Sequence, residues 1–149
     1  MRRTVVNLTQ DRSQGIEALR GSGVPAVFSD AVRIELPGYA MLFVSGKLAT
    51  DASGAIVGRT MREQTRQVLE NIKAVLAREG ATMDDVVRVR VYVTQLDPET
   101  LREIHSVRSG YFREGNYPAS TLVRVVQFVR EGALIEIDAD AVIRTGAGS

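Results

Sequence analysis

The stretch ALIEIDADAVI, residues 133–143, decides how this chain folds. It alternates without a break. Ala133, Ile135, Ile137, Ala139, Ala141 and Ile143 share one face; Leu134, Glu136, Asp138, Asp140 and Val142 share the other. A period of two marks a strand with one buried side. The run VRVRVYVT, residues 87–94, repeats the pattern, with Val87, Val89, Val91 and Val93 opposed to Arg88, Arg90, Tyr92 and Thr94. Acids on one strand and arginines on another can pair across a sheet. The apolar faces need a covering layer, and two helical segments supply it.

Thr60-Met-Arg-Glu63 has the form of a capping box, in which Thr caps the helix and Glu reaches back. Met61, Val68, Leu69, Ile72, Val75 and Leu76 then fall on one helical stripe, and Gly80 is placed to end the helix. Asp97-Pro98 begins a second helix, with Asp as cap and Pro at the first helical position. Leu101, Ile104, Val107, Tyr111 and Phe112 form its apolar side. Earlier in the chain, Val27–Ile34 and Ala40–Ser45 read as strands around a Pro37-Gly38 turn, and Asp51–Gly54 reads as a further turn. Residues 10–24 read as an irregular connection with one helical turn around Ile16–Leu19. The small, polar residues 145–149 read as a flexible tail. Residues 119–129 and 133–143 read as two strands joined at Arg130-Glu131-Gly132, a link short enough for an antiparallel hairpin. The expectation is one α+β domain over residues 1–149, with a mixed sheet and two helices packed on one face.

The charged face of that sheet has two readings. Glu136, Asp138 and Asp140 can meet Arg88, Arg90 and Arg124 as ordinary solvated pairs. By parity, Leu122, Val126 and Phe128 fall on the same side as Arg124. Among basic residues, lysine occurs only at Lys47 and Lys73, and arginine is the better residue for ordered interface pairs. A mixed apolar and charged face of this kind suits burial in an oligomer.

Composition narrows the function. The chain has 149 residues, 44% hydrophobic and 25% charged, with a net charge of +1. Such a balance offers no global field to attract nucleic acid or an anionic membrane. Apolar runs are too short to span a bilayer, and the N-terminus lacks the apolar core of a secretory signal. Cysteine is absent, which removes disulfides, thiolate metal sites and a cysteine nucleophile and agrees with a cytoplasmic location. His105 is the only histidine, so one chain cannot build a multi-histidine metal site. YPASTLVRV, residues 117–125, places Ser120 and Thr121 at the mouth of a strand, where hydroxyls can serve a turn or a binding site.

Several of these segments, taken in order, resemble the RidA/YjgF family, also called endoribonuclease L-PSP-like. The likeness covers about residues 25–144. Phe28-Ser-Asp-Ala-Val32 is similar to the family's early tyrosine-serine-glutamine-alanine-valine segment, and Phe43-Val-Ser-Gly46 to its strand ending in Ser-Gly. QTRQVLENIK, residues 64–73, resembles its first-helix signature through Gln64, Gln67, Leu69, Asn71 and Ile72. Val87–Leu96, Pro118–Val123 and Leu134–Asp138 resemble its later strands.

The resemblance implies a chorismate-mutase-like fold. It further implies a homotrimer with inward-facing sheets, inter-subunit clefts and small-molecule substrates. Family members hydrolyse enamines and imines, such as 2-aminoacrylate, to a ketoacid and ammonia, without metal or cofactor. An arginine in a Pro-Ala-Arg motif holds the substrate carboxylate, and a glutamate on the last strand handles a water. Carried over, Glu136 falls on the glutamate, and Ser45 with Gly46 on the cleft serine segment. Phe28 replaces a cleft tyrosine, and His105 falls near a cleft asparagine. Ser120 replaces the arginine, with Thr121 beside it. Serine cannot make arginine's bidentate, charge-assisted pair with a carboxylate.

The expected catalytic set is therefore Glu136, His105 and Ser120. Phe28, Ser45, Gly46 and Thr121 are expected to bind substrate. Water attack on an imine with altered specificity is one expectation. A serine nucleophile, Ser120 or Ser45, with His105 as base and Glu136 as orienter is another chemistry, although no Gly-x-Ser-x-Gly elbow is present. A non-catalytic trimer that binds a metabolite or protein is the alternative class. Some relatives are described as ribonucleases or chaperones, but the near-neutral charge and few aromatics here give no support to RNA reading.

Overall fold

A computed structural model of the chain describes residues 1–8, 19 and 22–146. The described elements are β1 (Arg2–Val6), β2 (Ala31–Leu36), β3 (Tyr39–Lys47), α1 (Met61–Arg78), β4 (Val86–Val93), α2 (Pro98–Arg108), β5 (Ala119–Arg124) and β6 (Ile135–Arg144). They form a mixed sheet in the order β1-β2-β3-β6-β4-β5. Only β4 and β5 pair in parallel; the other neighbours are antiparallel. Both helices lie on one face of the sheet and share a single core with the strands' buried face. Of the side expected for α2, Ile104, Val107 and Phe112 join it, Phe112 from beyond the helix end, while Leu101 is exposed. No helix among the described residues is long and apolar enough to cross a membrane.

The helix ends form as their local chemistry requires. Thr60 and Glu63 make the reciprocal capping box, and Asp97 accepts the Thr100 N–H ahead of Pro98. The residue after the C-cap of α1, Gly80, has φ of 73°, a left-handed conformation that costs glycine least. All six apolar residues of the α1 stripe are buried.

Three expectations change. The first is the closing hairpin. Strand β5 ends at Arg124, the Val125 N–H donates to Val93 O, and residues 125–134 then leave the sheet edge. Strand β6 enters between β3 and β4 and never pairs with β5. The reason is burial. Ile135, Ile137, Ala139 and Ala141 are essentially inaccessible, which an inner strand achieves and a terminal hairpin strand does not.

The second change is at Val87. A register shift between Val86 and Arg88 places Val86 on the core side and leaves Val87 exposed. The third concerns β5. Ser120, Leu122 and Arg124 register with the buried Val89, Val91 and Val93, so they share the helix-covered side. The apolar part of the open face comes instead from Val5, Val32, Phe43 and Val123. The charged part behaves as expected at Arg90, which pairs with Asp138 at 2.8 Å and Asp140 at 3.1 Å.

Strand β2 begins at Ala31, so Val27–Asp30 is an irregular lead-in. The helical turn expected at Ile16–Leu19 falls on residues of which only Leu19 is described, and the tail is described only to Gly146.

Polar residues of α1 fix where β6 starts. Gln64 is 1% exposed. Its Nε2 donates to Gly58 O at 3.1 Å and to Gly132 O at 2.8 Å, while its Oε1 accepts the Leu134 N–H at 2.8 Å. Asn71 Nδ2 donates to Leu48 O and Thr50 O, both at 2.9 Å, and so holds the segment that follows β3. Removing the Gln64 amide takes the side-chain partner from the Leu134 N–H and from the Gly58 and Gly132 carbonyls. Gln64→Leu is expected to lower stability by about 2–4 kcal/mol in urea unfolding. A loss below about 0.5 kcal/mol would show that water replaces the clasp.

Candidate active site

Two cavities hold the candidate residues. The first, about 230 Å³, lies at the β3–β6 junction and is lined by Phe28, Ser45, Gly46, Leu48, Val129 and Glu136. A β-bulge builds it: Ser45 and Gly46 together oppose one residue of β6, between the Val44–Ala139 and Lys47–Ile137 pairs. The irregular Val27–Asp30 segment is stapled to this bulge. Ser45 Oγ donates to Ser29 O at 2.6 Å, Ser45 N donates to Asp30 O at 2.9 Å, and Lys47 pairs with the Asp30 carboxylate. That lead-in carries Phe28 to the cavity, which is why a strand there would not serve.

Gly46 leaves room for the Glu136 carboxyl, which any larger residue would displace. A Cβ at this position would lie 2.1 Å from Glu136 Oε1, so the carboxyl group occupies the space of a missing side chain. Burial, and then the charge of Asp138 on the same face, push the Glu136 carboxyl above the ordinary glutamate range. A carboxyl so tuned can hold a proton nearer neutrality and exchange it with a water.

The second cavity, about 350 Å³, lies between the end of α2 and the start of β5. His105, Arg108, Phe112, Tyr117, Pro118 and Ser120 line it. Ser120 Oγ accepts a hydrogen bond of 3.1 Å from Arg108 Nη2. Burial, then the neighbouring Arg108 charge, lower the His105 pKa and favour the neutral imidazole. Thr121 faces away from this cavity, registered with Arg90 on the open side of the sheet.

Within one chain, the expected residues thus divide into two groups. Phe28, Ser45, Gly46 and Glu136 meet at one cavity; His105 and Ser120 meet at the other. A serine–histidine–glutamate arrangement is not assembled inside a single chain. Ser45 donates to a backbone carbonyl, and Ser120 is held by a guanidinium, which cannot take its proton.

Arg108 escaped the sequence reading. A signal existed: it lies four residues after Ile104 and four before Phe112, a basic residue on an otherwise apolar stripe. A wider depression of about 760 Å³ runs along the helices past Arg62, Arg66, Glu70 and Tyr111. There the Tyr111 hydroxyl donates to Glu70 at 2.7 Å, and burial with that bond pushes it up to about 12.

This sheet order, its helical layer and the glutamate seated over a glycine bulge define a YjgF-like α+β protein. The family model described as Endoribonuclease L-PSP matches residues 24–143, and the chain belongs to that family, the RidA/YjgF group. A RutC family protein of Pyrococcus abyssi is 40% identical over 101 residues, covering 67% of this chain and 76% of the relative. The 2-iminobutanoate/2-iminopropanoate deaminase of Salmonella typhimurium is 31% identical over 106 residues, covering 70% and 80%. The crystal structure of a YjgF/YER057c/UK114 family member from Mycobacterium tuberculosis superposes with a TM-score of 0.71 at 33% identity, over 95% of this chain and all of that one.

The raised Glu136 pKa predicts a direction. Below about pH 4.5, the ordinary glutamate value, the carboxyl is protonated whether the chain is folded or not. As pH rises through the higher folded value, the buried group ionises at a cost to the folded state. Glu136→Gln is therefore expected to match the unsubstituted protein near pH 4 and to exceed it in unfolding midpoint at pH 8. Equal midpoints at both pH values would contradict the burial argument.

Proposed function

We propose that the chain hydrolyses a small enamine or imine to a carbonyl compound and ammonia. The observation that carries this reading is the Glu136 carboxyl, raised in pKa and lodged against Gly46 in a small cavity. The likeness to the Salmonella 2-iminobutanoate/2-iminopropanoate deaminase supports it. As a base, Glu136 takes a proton from water while the water oxygen bonds to the imine carbon. The C=N π pair moves to nitrogen, giving a carbinolamine. That proton passes from the carboxyl to nitrogen, so the carbinolamine is neutral. The Glu136 carboxylate then takes the hydroxyl proton and hands it to nitrogen as the C–N bond breaks, the C=O bond forms and ammonia leaves. For an enamine, the protonated carboxyl first delivers its proton to carbon.

The reading includes a homotrimer whose clefts join the Glu136 cavity of one copy to the His105–Ser120 cavity of the next. Support comes from the division of the site and from the open sheet face, where Phe43 and Val123 are each about two-fifths exposed beside the Arg90 network. With neutral His105 opposite Glu136, proton donor and acceptor would flank the substrate.

The test is ammonia and 2-oxobutanoate release from 2-iminobutanoate generated by a coupled dehydratase. Acceleration over buffer is expected, and Glu136→Gln is expected to reduce it at least about 100-fold. No acceleration with any of several 2-imino acids would favour a binding role instead.

A further inference from the structure

Arg108 is 8% exposed, and burial lowers its pKa because the charged form loses water. Buried guanidinium groups ordinarily meet a carboxylate. This one does not: among the described residues, no acidic oxygen lies within 4.0 Å of it. It meets the Ser120 hydroxyl at 3.1 Å and the Phe112 ring, whose centroid is 5.9 Å from the guanidinium carbon. Both partners hold the group in place without neutralising it. Arg90 on the open face shows the opposite case, with two carboxylates at hydrogen-bond distance.

We propose that Arg108 is the specificity residue for a small carboxylate ligand, which supplies the missing counter-charge in the α2–β5 cavity. The proposal rests on the hydrolase reading for the identity of that ligand as a 2-imino or 2-oxo acid. Ser120 is then a positioning residue. Its hydroxyl accepts from one arm of the guanidinium, and both residues line the cavity. The apolar remainder of the ligand lies between Phe112 and Tyr117, and neutral His105 adds no second cation. An arginine can bind a carboxylate bidentately, and here it reaches the cavity from a helix. A serine on the strand is the complement of that arrangement, since a second arginine at 120 would crowd like charges together.

The test uses the full chain and two unreactive probes, 2-oxobutanoate and its neutral counterpart butanone, at matched ionic strength. Calorimetry is expected to show binding of 2-oxobutanoate and none of butanone. Arg108→Met should weaken 2-oxobutanoate about ten- to hundredfold. It should also raise the ligand-free unfolding midpoint, because it removes an uncompensated buried charge, and abolish the upward shift that the ligand produces. Ser120→Ala should weaken binding less, with the fold intact.

Three outcomes overturn the proposal. One is equal binding of both probes. A second is a lowered midpoint for Arg108→Met with 2-oxobutanoate binding retained, the mark of a purely structural residue. The third is dissociation of an oligomer in Arg108→Met, which would assign the counter-charge to a neighbouring copy. Binding without any ammonia release would sink the hydrolase reading and leave this site standing. Ammonia release with an unchanged KM in Arg108→Met would do the reverse.

Discussion

Strand β6 is hydrogen-bonded on both edges, and its odd-numbered residues from Ile135 to Ala141 are buried on the face that α1 covers. A slip of one residue would expose Ile135 and Ile137 and bury Glu136, Asp138 and Asp140, so the register is held by the hydrophobic effect along its length. Everything at the Glu136 cavity depends on that register. It sets the carboxyl against Gly46, aligns Asp138 and Asp140 with Arg90, and opposes the Ser45–Gly46 bulge to a single residue. The Gln64 amide sets where the strand begins. The last strand in the chain is therefore an inner strand of the sheet, and β3, α1 and β4 must leave a gap for it.

Two arginines show how burial assigns roles. Arg90 lies on the open face between two acids, and those bonds raise its pKa. One guanidinium faces two carboxylates there, so its own charge is fully answered. Arg108 is packed under the sheet edge against a hydroxyl and a ring. The first arrangement is complete within one chain. The second leaves a charge to be answered, and such incompleteness distinguishes a site from a strut.

The alternation from Arg88 to Thr94 and along 133–143, the capping residues Thr60 and Asp97, and the stop at Gly80 were legible because each is a local rule written in adjacent residues. The exposure of Val87 was not, because the register shift beside it is tertiary. The Glu136, Ser45 and Gly46 grouping was legible through the family resemblance, and the structure brings those three to one cavity. The pairing partner of β6 was not legible. Arg130-Glu131-Gly132 satisfies the local grammar of a turn, and only the depth of burial on β6 rules a terminal hairpin out. The true face of Ser120 and Leu122 depended on β5 being parallel to β4, a tertiary fact. Arg108 was missed because a basic residue in the last turn of a helix also satisfies the helix dipole, an ordinary explanation that hid its inward direction.

In the proposed oligomer each chain carries two half-sites that meet only between copies. Mixed oligomers of Glu136→Gln and Arg108→Met test it most directly. Each variant alone is expected to be nearly inactive in ammonia release. After subunit exchange, verified by native mass spectrometry, interfaces pairing an intact Glu136 with an intact Arg108 should restore about a quarter of the unsubstituted activity in random trimers. Mixed oligomers with no recovered activity would contradict the account, because the site would then be complete within a single chain.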